Sequence, residues 1–398
     1  MNPNTDPIPF ARPSIDTREE EAVVRVLRSG WLTTGSEAQA FEIEFARAVG
    51  AEHARAVSSA TAGLHLALES LGVTEGDTVI TTPYTFTATA EVVRYLGAEV
   101  RFVDIEPEGF NIDPIRVEEA LEIGDDGGAA VPKVIMPVHI GGYPCDMARL
   151  LDVAGNAGAE IVEDAAHAFP VATRLGYLGA IGSIGVYSFY ANKTITTGEG
   201  GMVVTSSTER ARRIGVMRNH GIDRDAWDRY TRTGASWEYA VVAPGYKYNM
   251  PDVAAAIGRV QLAKAEELHR RRRERAEQYL EALSGLDYLV MPPHSGPNAW
   301  HLFIIGLELE RLSISRDEVI RCLAERGIGT SVHYIPLHTM PYYRDRYSLR
   351  PTDFPNALRR FRRSISLPLY ADMSEEAVGR VSAAVREICE RAYVPKTR

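Results

Sequence analysis

The 398-residue chain is too long for one small domain and suits a large α/β domain followed by a smaller one. Hydrophobic residues make up 45% and charged residues 24%, which excludes a disordered or fibrous chain. A net charge of −9 supplies no basic field for nucleic acid, and no stretch is long and apolar enough for a membrane span.

Cys145, Cys322 and Cys389 are odd in number and far apart, against both a disulfide framework and a zinc site. Residues 1–13 are rich in proline and lack the basic start and apolar stretch of a targeting signal, so the expected compartment is a reducing cytoplasm.

In chain order, Thr17 with Glu20 forms a capping-box pattern that predicts a helix with Val23, Val26 and Leu27 on one face, ending at Gly30. Ser36 with Gln39 repeats the pattern for a helix carrying Phe41, Phe45 and Val49 and stopping at Gly50. Ser58 to Gly63 opens an apolar helix running to Leu71. Short apolar strands at 78–81, 100–105, 134–138, 161–164, 186–189 and 202–205 alternate with helices at 87–96, from Asp113-Pro114, and at 146–155. That alternation predicts a mainly parallel sheet covered on both faces.

The large domain, with the N-terminal segment, is expected over 1–265 and the small one over 266–398. A charged helical stretch at 252–283 joins them. Within it, Arg270 to Arg273 are surrounded by Glu266, Glu267, Glu274 and Glu277, the pattern of a solvated helix face laced with ion pairs. A strand at 301–307, a helix at 316–325, a strand at 329–333 and a helix from Glu375 then predict a smaller α+β unit.

Ligands of an open parallel sheet collect at the carboxyl ends of its strands, where Asp164 stands. A lone acid there serves equally as a helix N-cap, so its companions decide. A lysine that binds a carbonyl cofactor covalently must be one of five. Lys133 leads from a loop into a strand, Lys264 is on a helix and Lys396 is in the tail. Lys193 follows the apolar strand ending at Tyr190 and precedes the tight loop Thr196 to Gly201, although spacing alone also fits a surface lysine before a turn. Small and hydroxyl residues at Ser58 to Gly63 suit a phosphate at a helix start, and equally an ordinary N-cap.

Taken together, the runs Ser58-Ser59-Ala60-Thr61-Ala62-Gly63-Leu64-His65, Glu163-Asp164-Ala165-Ala166-His167, Ser188 to Gly201 and Gly245-Tyr246-Lys247-Tyr248-Asn249-Met250 resemble the DegT/StrS family of sugar-nucleotide aminotransferases. Ala299-Trp300-His301-Leu302-Phe303 and Val332 to His338 carry the likeness into the smaller domain, over about Phe10 to Cys389. The resemblance implies the fold type I (aspartate aminotransferase-like) transferase architecture, a homodimer with shared active sites, pyridoxal 5'-phosphate as cofactor, and glutamate and 2-oxoglutarate as the amino donor pair.

It also implies roles. Lys193 would hold the cofactor covalently and later shuttle a proton, while Asp164 would face the pyridine nitrogen. The Ala60 backbone, Thr61 and Ser188 would hold the phosphate, Phe86 would lie on the ring, and Asn249 would reach the cofactor phosphate of the partner subunit. His167, where many relatives have glutamine, would hydrogen-bond near the cofactor oxygen. Lys247, His333, Tyr334 and His338 are read as substrate residues; His333 and His338 lack a third ligand at metal spacing, so no metal is expected.

A dehydratase on the same fold would carry histidine in place of Lys193, and a non-catalytic regulator would show damage at Asp164, Lys193 or Asn249, all of which are present. The stretch 221–246, with Trp227, Arg229, Tyr230 and Trp237, resembles relatives acting at C4 of a UDP-4-keto-pentose, while relatives acting on UDP- or dTDP-linked 4-keto-6-deoxyhexoses share most signatures. The expected reaction is amination at C4 of a nucleotide-linked keto sugar, with C3 amination of a 3-keto sugar as the alternative.

Overall fold

The computed structural model describes residues 6–122, 132–223 and 238–395. Trp227, Arg229, Tyr230, Trp237 and Lys396 therefore lie outside the described residues. The chain opens with α1 (Thr17–Ser29) and α2 (Ser36–Val49). The α1 capping box sits one residue earlier than the sequence pattern predicts: the Asp16 carboxylate accepts from Arg18 N at 2.9 Å and Asp16 N donates to Glu19 at 2.9 Å. A carboxylate at this cap also forms an ion pair with Lys264, for which the neutral Thr17 hydroxyl has no charge to offer. Glu19, Ala22 and Val26 face inward, and Leu27 is exposed.

The Ser36–Gln39 box does not form either. Gly35 takes the cap position with no side-chain bond of its own, and the buried Asp252 carboxylate, 217 residues on, accepts from the amides of Gly35 (2.7 Å), Glu37 (3.2 Å) and Ala38 (3.0 Å). A distant carboxylate thus satisfies the free donors of this helix start.

Then follow β1 (His53–Val57), α3 (Ala60–Ser70), β2 (Thr78–Thr81), α4 (Ala88–Tyr95), β3 (Glu99–Phe102), α5 (Pro114–Glu122), β4 (Val134–Ile135), α6 (Met147–Ala157), β5 (Glu160–Asp164), a small hairpin of β6 (Ala172–Thr173) and β7 (Gly176–Tyr177), β8 (Ile184–Ser188), β9 (Gly201–Thr205) and α7 (Thr208–Met217). Seven strands form one sheet in the order β1-β9-β8-β5-β4-β2-β3. Pairs from β3 to β8 are parallel, and those of β8 with β9 and β9 with β1 are antiparallel. The reversal follows from chain length: the short loop between β8 and β9 holds no crossover helix, so the two strands must return on themselves.

Successive side chains sort to opposite faces. Val79, Val134, Val162, Val186 and Val203 pack with α3 and α7, while Ile80, Ile135 and Ile161 pack with α5 and α6. Tyr187 and Met202 meet Phe41 and Phe45 of α2. β1 escapes the pattern of a strand because His53-Ala54-Arg55-Ala56-Val57 has only one β-branched residue.

The expected continuous helix over 252–283 is two helices, α8 (Asp252–Ala263) and α9 (Ala265–Leu283), broken at Lys264. The smaller unit holds β10 (Leu289–Val290), β11 (Phe303–Leu307), α10 (Arg316–Glu325), α11 (Pro341–Arg346), α12 (Pro355–Arg363), β12 (Ser364–Leu367) and α13 (Glu375–Arg391), with the strands antiparallel in the order β10-β11-β12. Residues 329–333 form no strand. They touch β12 at one bridge, Ser331 with Ser366, before the chain turns away. Ile8 pairs beside Ile328 and joins the core of this unit, so the N-terminal segment crosses to it. Among the described residues no helix is long and apolar enough to cross a membrane.

Replacing Asp252 by alanine leaves three amides at the α2 start without their acceptor and is expected to destabilise the protein by about 2 to 4 kcal/mol. Asp252→Asn, which keeps an acceptor oxygen, should lose less. Thermal melting of the two variants side by side checks this; equal midpoints in Asp252→Ala and the parent protein would show that α2 needs no such anchor.

Candidate active site

The carboxyl ends of β5 and β8, the start of α3 and the small-unit segment around Tyr334 enclose a cavity of about 400 Å3. Nine of the residues expected at the site line it: Ala60, Thr61, Phe86, Asp164, His167, Ser188, Lys193, His333 and Tyr334. A wider groove of about 1220 Å3 lies elsewhere on the large domain, but its Arg210, Arg213 and Lys133 are spent in pairs with Glu160, Glu69 and Asp77. The chemistry belongs to the smaller cavity.

Lys193 sits in the β8–β9 loop. Phe189 N donates to Gly200 O and Thr197 N to Phe189 O, each at 2.9 Å, and Lys193 N donates to Tyr190 O at 2.9 Å. Gly198, at φ +80°, supplies the left-handed turn that closes the loop. Burial pushes the Lys193 amine down to about 7, the Asp164 carboxylate pulls the other way, and the Arg272 guanidinium adds to the depression. Much of this amine is neutral near pH 7 and able to attack a carbonyl.

Asp164 is buried. Its Oδ2 accepts from Thr89 Oγ1 at 2.8 Å and its Oδ1 from Ala166 N at 3.1 Å. Burial raises its pKa against the lowering effects of those bonds, Lys193 and His139. The acid at the strand end is therefore a desolvated carboxylate on the cavity lining, where a cation would be favoured, and not a helix N-cap.

Another part of the cavity lining suits an anion. As the first residues of α3, Ala60 and Thr61 have amides without intrahelical acceptors. The Ser188 hydroxyl accepts from Tyr190 N at 3.3 Å, which leaves its proton free to donate. Gly201 lies directly beneath: a Cβ there would fall 2.8 Å from Ala60 N, so only glycine lets β9 approach the helix start so closely. Phe86 is exposed at the mouth with its ring 6.3 Å from that of Tyr334.

A phosphorylated aldehyde on a pyridine ring fits this set, with hydroxyl and amide donors for the phosphate, Asp164 for the ring nitrogen and Lys193 for the carbonyl. The order of the seven-stranded sheet is that of the fold type I transferases, and the protein is a transaminase dependent on pyridoxal phosphate. It belongs to the DegT/DnrJ/EryC1/StrS aminotransferase family, whose pattern matches residues 13–386. The spore coat polysaccharide biosynthesis protein SpsC of Bacillus subtilis is 42% identical over 388 residues, covering 97% of this chain and 98% of SpsC. Among solved structures, the PLP form of Spr1654 from Streptococcus pneumoniae, a protein assigned as a sugar aminotransferase, matches with a TM-score of 0.87 at 30% identity, covering 98% of this chain and 100% of its own. DesI in the presence of its TDP-sugar product matches with a TM-score of 0.85 at 30% identity, covering 97% and 94%.

Three expected site residues lie outside the cavity of their own chain. Asn249 donates from Nδ2 to Thr34 Oγ1 at 2.6 Å, and Lys247 is exposed beside it. His338 is fully buried against Phe354, and its Nε2 donates to Pro351 O at 3.2 Å, so it is a core histidine and not a substrate residue. His167 lines the cavity as expected, and its two ring nitrogens meet Gly141 N and Tyr334 Oη at 3.1 Å each.

Other residues escaped the sequence reading. Thr89 is hidden in the run Thr87-Ala88-Thr89-Ala90. His301 packs on His167 with ring centroids 4.3 Å apart and the rings tilted by 38°. Arg272 was expected on a solvated face. Arg270, Arg271 and Arg273 do pair there with Glu267, Glu274 and Glu277, but Arg272 turns inward and is 3% exposed. Its guanidinium donates to the carbonyls of Leu369 (3.0 Å), Trp300 and His301 (3.4 Å each) and Asn192 (3.5 Å). The signal lay in the helical period, since Leu268, Arg272, Ala276 and Tyr279 share one face.

In cofactor-free protein, Lys193 should react with trinitrobenzenesulfonate with half-maximal rate near pH 7. Because Asp164 holds the amine's proton on, Asp164→Asn should move that midpoint to lower pH and leave the amine neutral over a wider range. Peptide mapping of the labelled lysine as a function of pH checks both; a midpoint near 10 would contradict a desolvated amine.

Proposed function

We propose that this enzyme transfers the amino group of glutamate to C4 of a keto sugar carried on a nucleotide. The observation that carries the reading is the presence of Lys193, Asp164 and the α3 start in the lining of one cavity, with the Asp164 charge acting on the lysine. When bound, pyridoxal phosphate supplies an electron sink and a temporary carrier for the amino group.

The protein's own groups do the rest. Asp164 keeps a proton on the ring nitrogen, a charge-assisted bond that a neutral partner would not match. The Ala60 amide, Thr61 and Ser188 would hold the phosphate, and Phe86 would lie on the ring. Lys193 Nζ takes the proton from Cα of the amino donor and, in the second half of the cycle, returns one to the sugar carbon, a contribution of about 10² to 10⁴ in rate. His333 and Tyr334 lie on the side left open to the sugar. Asn249, with Lys247 near it, serves the cavity of a second copy of the chain, which accords with the position of both outside their own.

The nucleotide-linked sugar rests on the family and on similar proteins such as DesI, solved in the presence of its TDP-sugar product. The preference for C4 rests on the likeness of 221–246 to enzymes of 4-keto-pentoses, of which 224–237 lies outside the described residues. A panel of UDP- and dTDP-linked 4-keto and 3-keto sugars, offered with glutamate and followed by mass spectrometry, tests it. Amino sugar should form from 4-keto substrates; amination confined to 3-keto substrates defeats the assignment.

Shared sites make a separate prediction. Mixing Lys193→Ala subunits with Asn249→Ala subunits should rebuild one intact site per heterodimer, because one site then joins Lys193 of one chain with Asn249 of the other. Asn249→Ala alone should weaken cofactor retention by about 1 to 3 kcal/mol, so the mixing is best done at limiting cofactor. No recovery despite proven subunit exchange would place Asn249 in service of its own chain.

A further inference from the structure

His167 stands one turn beyond Asp164, and both of its ring nitrogens are committed. Nδ1 accepts the Gly141 N–H at 3.1 Å, so it carries no proton. Burial, with Lys193 and His333 nearby, pushes the imidazole well below its usual range, so the ring is neutral. Its one proton must then be on Nε2, 3.1 Å from Tyr334 Oη. The histidine therefore donates and the tyrosine oxygen accepts.

This settles the direction of the tyrosine's own proton. It cannot lie along a line that the Nε2–H already occupies, and among the described residues the hydroxyl has no other protein partner. Burial and the Asp164 charge raise the phenol, so it stays protonated. Tyr334 lines the same cavity as Lys193 and Asp164. Three contacts hold the pair in place: His301 packs behind His167 at 4.3 Å, the Tyr334 ring lies nearly parallel to His167 at 14°, and the Tyr84 hydroxyl donates to the His333 carbonyl just before it.

We infer that Tyr334, oriented by His167, is the hydrogen-bond donor to an oxygen of the reacting ligands beside Lys193, and that His167 acts in this as the residue that positions Tyr334. The inference rests on the reading of the cavity as the pyridoxal phosphate site. The acceptor is an oxygen bearing full or developing negative charge, of which two sources exist: the ring oxygen of the cofactor and the keto oxygen of the sugar. A fixed donor at such an oxygen is most effective where charge develops during reaction.

The first test needs no cofactor. Histidine ¹⁵N NMR of cofactor-free protein should show His167 as the neutral Nε2–H tautomer, in the parent protein and in Tyr334→Phe; an Nδ1–H tautomer or an imidazolium at pH 7 overturns the inference. The second test separates the half-reactions in single turnovers at matched cofactor occupancy. Tyr334→Phe should slow turnover by about 10- to 100-fold, with KM little changed, the loss expected of one such donor. A loss in the sugar half-reaction alone identifies the keto oxygen as acceptor, and a loss in both halves identifies the cofactor oxygen.

His167→Gln keeps an acceptor for Gly141 and a donor for Tyr334 and should stay near the parent rate, whereas His167→Leu should fall as far as Tyr334→Phe. Tyr334→Phe turning over at the parent rate in both halves overturns the proposal, as does His167→Gln falling to the level of a folded His167→Leu. If the parent enzyme aminates no keto sugar, the proposed function fails, but the tautomer and the glutamate half-reaction still decide the fate of Tyr334.

Discussion

An amine that is neutral near pH 7 must be kept from water, and the architecture around Lys193 follows from that need. A lysine on an exposed turn would stay protonated. Here the turn is folded back between two antiparallel strands at the carboxyl edge of the sheet, with α9 behind it and the Tyr334 segment across the cavity. The same burial endangers Asp164, whose raised pKa shows a carboxylate short of solvation. Each group tempers the other. Asp164 keeps the lysine from losing its proton altogether, and Lys193 makes the buried carboxylate tolerable.

The placement of that turn depends on residues far from it. Asp252 fixes the start of α2 through three amides, and α2 carries Phe41 and Phe45 inward. Phe41 packs on Phe189 at 5.3 Å between ring centroids, and Phe45 does so at 5.5 Å. Phe189 in turn bonds Gly200 and Thr197 across the loop that holds Lys193. Glu163, next to Asp164, binds the amides of Gly179, Ile181 and Gly182 and meets the ring of His139 at 3.0 Å. Both ends of the lysine–carboxylate pair are thus anchored by buried polar groups that never face the cavity.

What the sequence disclosed divides along physical lines. The sheet was legible because its central strands are continuous apolar runs, and the helix ends because glycine stops α1 and α2. Lys193, Asp164 and the α3 start were legible because short runs of unusual residues mark them. The true caps of α1 and α2 were not, since Asp16 is favoured over Thr17 by a lysine 248 residues away and Asp252 reaches α2 from the other side of the domain. His338 misled because a histidine five residues from His333 has the same chemistry on paper whether it faces a cavity or a core; only packing on Phe354 tells them apart.

Arg272 shows how the two units share one site. Isolated burial of a guanidinium is costly, and no carboxylate pairs with it among the described residues. Four carbonyls replace water instead: Asn192 belongs to the lysine loop, while Trp300, His301 and Leu369 belong to the smaller unit. One charge therefore ties the lysine loop to the smaller unit and lowers the affinity of Lys193 for a proton. A carboxylate partner would relieve the cost of burial but would also cancel the field at the lysine. Carbonyl dipoles accept from the two terminal nitrogens, Nε is left without a partner among the described residues, and the net charge stays in place, so a cation held by backbone alone suits this position.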